Sequence, residues 1–513
     1  MRVLLLCACM LVATRAIADE DLAIYRMMVD GQIFQLGKTR QIASLSDGNI
    51  VSACISPDGK YIAYVEEHFG DPQVCLVRSN GDRPIVVMAM PPEFFNEGFV
   101  GEVWRPVVRS RSSVTFSSKS LLGGISWSPD NRLIAFPAVH IVCKDDKQSQ
   151  EYGIVVLRST GAIRAFFALQ DKAYIAGPIL WSPDSRRFAG VFIVSDPGLR
   201  PTQTRDDLLA FDISSGSVQV LFSQPISGYI HPESWSRTSK ALYYVVTHDK
   251  EKAQLRETSL DGKVDKVVQD DYSHRPKSPD GVYKLADRPG ISVENSLTGE
   301  VIDIIETPVG DVLGWSPNSK MLAYQRPMVV KDETGKRKET LNMLWLAAAE
   351  ANPINHMCVA FHSQESRAPT WSQDCLKMVY VCAGQACVAE FAWRELTVYD
   401  KLEAGIPLTE EEEQAILVNH SKMIATAMHQ YANDHNDEFP SAETFMQDIL
   451  RYFDGRDPFL RPGTDQLVFQ YFPQSDGNQT ASPADTIVGI FDVGYGWQVV
   501  VYLDGHVQVV RKQ

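Results

Sequence analysis

Apolar positions along this chain come in short, strand-length runs, and the same polar turn precedes run after run. At residues 125–136 the sequence reads ISWSPDNRLIAF: Trp127, Ser128, Pro129 and Asp130 form a polar turn, and an apolar run from Leu133 to Phe136 follows at once. The turn returns as ILWSPDSRRFAGVF at 179–192, with Trp181, Ser182, Pro183 and Asp184, and as LGWSPNSKMLAYQ at 313–325, with Trp315, Ser316 and Pro317. Two copies lack the tryptophan: CISPDGKYIAYV at 54–65, with Ser56, Pro57 and Asp58, and KSPDGVYKLA at 277–286, with Ser278, Pro279 and Asp280. Two more are frayed, one around Trp235 and Ser236 and one around Trp371 and Ser372. The seven serines stand 38 to 72 residues apart. A repeat of that period signals stacked supersecondary units.

Each unit has a second half. Downstream of most copies, β-branched and apolar runs flank a glycine turn, as in LVRSNGDRPIVVM, VLRSTGAIRAFF, LAFDISSGSVQVLF, RETSLDGKVDKVV and ENSLTGEVIDII. Such pairs are the short-range signature of a hairpin. Every repeat therefore predicts four short antiparallel strands, with the serine turn joining the first two and the glycine turn joining the last two. Serine and aspartate accept backbone N–H bonds while proline presets φ, so the turn is preorganised. The tryptophan or aliphatic residue before it faces the neighbouring sheet. Four-stranded sheets repeated about an axis make a β-propeller, here of seven blades.

Trp-Ser-Pro-Asp, then Gly, Asn or Ser and a basic residue, then a strand such as YIAYV, resembles the blade motif of TolB-like propellers, the PD40 or WD40-like repeats. The resemblance covers about residues 40–395 and implies the fold. It leaves function open, because the same blades occur in TolB, in the propellers of prolyl oligopeptidases and dipeptidyl peptidases, and in tricorn-like proteases.

The chain begins with Arg2, an apolar run from Val3 to Ala13, and Ala16-Ile17-Ala18 ahead of Asp19. This predicts a secretory signal peptide over 1–18, too short to span a membrane. No later apolar stretch is long enough for a span, so the mature protein is expected in the periplasm or secreted. The formal charge of −15 becomes −17 once Arg2 and Arg15 leave. So acidic a chain, whose one basic cluster is KDETGKRKE at 331–339, argues against nucleic acid as a partner. Seven cysteines remain, and the pair expected to bond in an oxidising compartment is Cys382 with Cys387, which brackets Ala-Gly-Gln-Ala.

Composition changes near residue 400, which divides a propeller over 19–399 from an α+β domain over 400–513. Thr409 with Glu412 is a capping box, and Glu410 to Glu413 sit where the helix dipole favours acids. Ile416, Met423, Ile424, Ala427, Met428 and Tyr431 share one helical face. Ser441 reads as the N-cap of a shorter helix. Four strands follow, the last two joined by Asp504-Gly505. The helix ending MHQYANDHNDEFP and the stretch FDVGYGWQVVVYLDGHVQVV are similar to the heads of G-type pseudopilins of type II secretion. Those proteins carry a polymerising hydrophobic helix where this chain carries a propeller, so the resemblance implies a borrowed head and not a filament subunit.

Catalytic patterns are few. There is no Gly-x-Ser-x-Gly and no His-Glu-x-x-His, and GQIFQLGKT at 31–39 misses the phosphate-loop register by one residue. Asn433 to Glu438 lacks the spacing of a calcium loop and reads as a helix-ending turn. The repeat serines, one per blade, read as structure. The expectation is a non-enzymatic exported binding protein, without cofactor or metal, whose partner is a protein or a cell-envelope polymer. The competing expectation is a hydrolase or lyase with a site in the propeller funnel. A last expectation concerns closure: part of 22–45 pairs as the outermost strand of the final blade.

Overall fold

The structure is a computed structural model describing residues 25–512 apart from short segments, the longest being 43–47, 108–123, 196–203, 332–336, 361–367 and 473–481. The predicted signal peptide lies outside the described residues. The chain divides into two compact units, Met1–Arg394 and Glu395–Gln513.

Among the described residues the first unit holds seven antiparallel sheets, and each carries one repeat serine. The sheet of Ser56 shows the plan: Asn49–Ile55, Tyr61–His68, Asp71–Arg78 and Ile85–Met88 pair in sequence order. The serine turn lies between its first two strands, and Gly81, at φ +102°, turns the chain between its last two. Local departures follow the sequence. In the second sheet Gly101–Pro106 and Ser126–Trp127 share the first position, both pairing with Leu133–Lys144. In the fifth, Tyr283–Leu285, Ile291–Asn295 and Val301–Ile305 form three strands, and only a bridge from Lys277 to Lys284 marks the first position.

Cores lie between neighbouring sheets. Trp127, Ile134 and Phe136 pack against Ala63 and Leu76, and Trp181, Phe188 and Phe211 against Ile154, Val156 and Phe167. Trp235, Leu242 and Tyr244 meet Ala189, Val191 and Leu208, Val293 meets Tyr324 and Trp345, and Met321 and Leu346 meet Met378 and Phe391. Finally Val379 and Val388 of the last sheet meet Ile62 and Tyr64 of the first, so the series returns to its start. Each such side chain contributes about 1.5–3 kcal/mol by leaving water. This is a β-propeller, mainly β with few helices, built from antiparallel four-stranded sheets.

The two ends of the first unit meet in one sheet. Gln32–Gln41 pairs antiparallel with Gln385–Arg394, placing Phe34 opposite Trp393 and Leu36 opposite Phe391. A further strand, Arg26–Val29, lies outside it, making five. Met27, Val29 and Phe34 are fully buried, packed into the core shared with Leu344, Met357 and Met378. The N-terminal hairpin is also tied to the sixth sheet: Met28 N–H donates to Ile354 O at 2.7 Å and Asp30 N–H to Glu350 Oε1 at 3.0 Å.

In the second unit a helix over Glu410–Asp434 begins at Thr409 with the expected capping box. It covers a four-stranded sheet of Phe469–Tyr471, Ile487–Gly494, Trp497–Tyr502 and Val507–Arg511. Leu417, Ile424 and Met428 bury against Phe445, Phe459, Phe491 and Val499. Two expectations are corrected. Met423 is 42% exposed, because the buried stripe is centred on Leu417, Ile424 and Met428 and residue 423 falls outside it. Ser441 is not the N-cap: the short helix is Phe445–Leu450 with Thr444 at its cap, and Ser441 Oγ instead accepts the Thr444 N–H at 3.3 Å in a preceding turn. A helix over Val398–Glu403, with its own capping box at Thr397, opens the unit.

A chain beginning at Asn49 lacks the strand that covers Gln385–Arg394 and leaves that ladder edge unpaired. It is expected to melt well below the full-length protein and to self-associate in size-exclusion chromatography. A monomer with unchanged melting would show that the N-terminal pairing contributes nothing.

Candidate binding face at the repeat turns

The seven serine turns share one geometry, and it uses up the serines. In six turns Oγ donates to the side chain two residues on, at 2.6–2.7 Å: Ser56 to Asp58, Ser128 to Asp130, Ser182 to Asp184, Ser278 to Asp280, Ser316 to Asn318 and Ser372 to Asp374. The same oxygen accepts the N–H five residues on, from Tyr61, Leu133, Arg187, Tyr283, Met321 and Lys377. Ser236 keeps the second bond, from Ala241, while its partner is Thr238 at 3.4 Å. A buried hydroxyl with both roles filled positions the turn and has no proton relay to become a nucleophile.

The third residue after each serine is left-handed, with φ between +57° and +77°: Gly59, Asn131, Ser185, Ser239, Gly281, Ser319 and Cys375. Five of these are not glycine, so each carries a conformational cost. Their side chains offset it by reaching the preceding blade. Asp58 N–H donates to Asn131 Oδ1 at 2.8 Å, Asp130 N–H to Ser185 Oγ at 3.1 Å, Asp184 N–H to Ser239 Oγ at 3.2 Å and Asp280 N–H to Ser319 Oγ at 3.0 Å. The Cys375 thiol takes the backbone N–H of Asn318. The tryptophans stitch at the next layer: the indoles of Trp127, Trp181 and Trp235 donate to the carbonyls of Cys54, Ser126 and Leu180 at 3.0–3.3 Å. Trp315 packs beside Tyr283, and Trp371 stacks on Phe391. The sequence reading assigned the turn to structure but missed the left-handed position. Its signal was the restriction to small residues at one register.

The seam between the last and first blades differs. Gly59 has no side chain to receive the next N–H, so Gln373 N–H donates to Pro57 O at 2.7 Å, and Lys377 Nζ donates to Gly59 O at 3.2 Å and Ser79 Oγ at 2.8 Å. Beside this seam lies a depression of about 510 Å³ lined by Pro57, Asp58, Trp127, Pro129, Asn131 and Gln373. Its walls are two proline rings and an indole; its polar groups are one carboxylate and two carboxamides. Burial acts to raise the Asp58 carboxyl, but bonds from Ser56 and from Lys60 outweigh it and hold it below the usual range. Asp184 and Asp280 are held low in the same way, by Ser182 and Ser278. Pro183, Pro279 and Pro317 occupy the matching position in their own turns. The arrangement offers an apolar floor with fixed hydrogen-bonding groups. Among the described residues no group of three or more His, Cys, Asp or Glu side chains is arranged to hold a metal ion, and no helix is long and apolar enough to cross a membrane.

Cys382 and Cys387 are both free thiols. The hairpin register explains why the expected bond is not formed: Cys382 opposes Gln385 and Cys387 opposes Tyr380. The two are diagonal neighbours, roughly 7 Å apart at this kind of position, where a disulfide needs Cβ atoms about 4 Å apart. Burial pushes the Cys382 thiol up to about 12 and the Cys387 thiol up to about 11.

No protein-family model matches the sequence, and no curated protein does. Among solved structures the chain is similar to TolB from Acinetobacter baumannii, at 17% identity over 68% of this chain and 66% of that one, with a TM-score of 0.30. It is similar to an oligogalacturonate lyase from Vibrio parahaemolyticus, at 11% identity over 71% of this chain and 98% of that one, TM-score 0.44. A third is the C-terminal WD40 domain of Sif2, at 11% identity, 69% and 99% coverage, and a TM-score of 0.38. Likenesses this distant carry no functional argument, and the propeller rests on its own sheets and cores. They do not support the pseudopilin resemblance of the second unit.

Ser128→Ala is expected to destabilise the protein by about 1–3 kcal/mol, because it leaves the Leu133 N–H and the Asp130 carboxylate without their buried partner. Denaturant unfolding reads this directly. The turn aspartates, whose folded values are depressed, stabilise the fold above their unfolded value of 3.8. That contribution should fade as pH falls below about 4.

Proposed function

We propose that this protein is an exported, non-enzymatic binding scaffold: a seven-bladed TolB-like propeller that receives a protein or cell-envelope polymer on its serine-turn face. The observation that carries the reading is the depression at the seam, where prolines, an indole and fixed amides converge while every repeat serine is committed to its own turn. A rigid floor of this kind binds without reorganising, which lowers the entropy cost of association. The TolB resemblance and the predicted signal peptide support a periplasmic or secreted setting. The second unit, with its pseudopilin resemblance, would add a second surface.

The competing enzyme reading has one observation in its favour. Glu233 is the bulged residue on the first strand of the fourth sheet, where Tyr272 hydroxyl donates to it at 2.9 Å and His231 Nδ1 lies 3.8 Å away. Bulges often re-aim side chains at functional sites. A carboxylate between a tyrosine and a histidine is a reasonable acid–base group.

A photo-crosslinking side chain placed at Gln373 should capture a discrete envelope partner, and Pro129→Arg should abolish capture without changing the melting temperature. Capture that survives Pro129→Arg places the binding face elsewhere. Turnover of peptidoglycan, glycan or peptide libraries by the mature protein, lost in Glu233→Gln, would replace the scaffold reading with the enzyme one.

A further inference from the structure

The last strand of the fourth sheet, Asp265–Gln269, stands at a free edge of the propeller, and all five of its residues are exposed. Three other edges have a neighbour. The glycine turn of the second blade lies against the last strand of the first, so close that a Cβ added at Gly161 would meet Val87 Cγ1 at 2.8 Å. The turn of the fourth blade lies against the third, with Gly262 near Gln219 and Val220. The N-terminal hairpin meets the sixth, where Met28 N–H donates to Ile354 O. At the fifth blade the pattern stops: a Cβ at Gly299 would have no atom within 4 Å. The edge of the fourth blade keeps Val264, Val267 and Val268 at 53%, 40% and 47% exposure.

An edge strand carrying valines is a pairing site unless charge or irregularity blocks it. Here the register skips between Arg256–Val267 and Leu255–Gln269, leaving Val268 as an extra, bulged residue. A bulge stops open-ended ladder growth, so what this edge can form is a short contact between side chains. The charges define its partner. Asp265 is already held by Arg256 at 2.7 Å and by the Tyr244 hydroxyl at 2.8 Å, and Lys263 by Asp261 at 3.4 Å. Lys266 and Asp270 keep capacity. Lys266 reaches Glu257 at 3.0 Å with its side chain 60% exposed, so N–H donors remain, and Asp270 accepts the Gln254 amide through one oxygen. The two stand four residues apart with Val268 midway. Turned end for end about Val268, the segment Lys-Val-Val-Gln-Asp is its own complement: Val268 meets Val268, and each Lys266 meets an Asp270.

We propose that two copies of this chain pair across the free edge of the fourth blade, on a two-fold axis through Val268. The axis makes the contact isologous, so the edge closes on its own copy and no filament follows. Copies this acidic, at a formal charge of −15, repel at long range. The Lys266–Asp270 pairs set opposite charges at both ends of the contact and fix its register. Val267 and Val268 supply the apolar middle. One strand on each side buries less than the ~1,200 Å² of a standard interface, so the dimer forms with concentration and is not permanent.

Sedimentation equilibrium of the full chain should show a reversible monomer–dimer equilibrium at concentrations up to about 200 µM. Lys266→Asp or Asp270→Lys alone sets like charges at both ends of the contact and should weaken the dimer at least about tenfold. Combining the two restores opposite charges and should bring the dimer back to within about threefold of the wild type. Val268→Lys, which puts two ammonium groups together on the axis, should abolish it. The three positions are exposed, so each variant should keep the wild-type melting temperature when monomeric. A monomer at every concentration would assign this edge to a different protein and overturn the dimer. A dimer indifferent to both single reversals, or one that the double reversal fails to restore, would overturn it too.

Discussion

The ladder between Gln32–Gln41 and Gln385–Arg394 joins parts of the chain as far apart as Gln35 and Arg394, 359 residues. The cores of the propeller depend on it. Each blade buries its two faces only against neighbours, so a gap at any one seam exposes two apolar faces and a row of unpaired backbone groups. Here the N-terminal strand completes the last sheet, Met27 and Val29 wedge into the core beside the sixth, and the Gln373 and Lys377 bonds join the turns of the last and first blades. The long loop-closure entropy of that pairing is spread over three independent contacts.

Around the turn face the same constraint appears in smaller form. A left-handed residue that is not glycine is unfavourable taken alone, yet the chain places asparagine, serine or cysteine there in five turns. Its side chain is the one group able to meet the neighbouring turn's N–H, so each local strain is coupled to an inter-blade bond. Where glycine stands instead, at Gly59, the bond is lost and a different set of contacts appears, with the depression beside it. The proposed binding face therefore lies beside one of the two turns that carry glycine, Gly59 and not Gly281. Motifs that suggest chemistry on paper, seven serines of which five stand beside a carboxylate, turn out to be consumed by the turns themselves.

Much of this was legible in the sequence because it was written in repeats. Turn residues, hairpin glycines and alternating apolar runs have period and chemistry, so the antiparallel plan of the repeats, the serine turn between their first two strands and the Thr409 capping box could be read from residues alone. What was not legible depended on register or on distant contacts. Cys382 and Cys387 look bondable until the hairpin places them on a diagonal. Met423 belongs to the helical stripe by periodicity and leaves it because the sheet touches a narrower arc.

The central claim is that the ends of the first unit are one cooperative piece of the propeller. Hydrogen exchange followed by mass spectrometry tests it on the unmodified chain. Peptides covering Gln32–Gln41 should exchange as slowly as those covering Gln385–Arg394 and the central strand Tyr61–His68, and all three should lose protection together as denaturant is raised. Fast exchange of Gln32–Gln41 while Gln385–Arg394 stays protected would contradict the account, since the N-terminal segment would then be a tail and the ring would close without it.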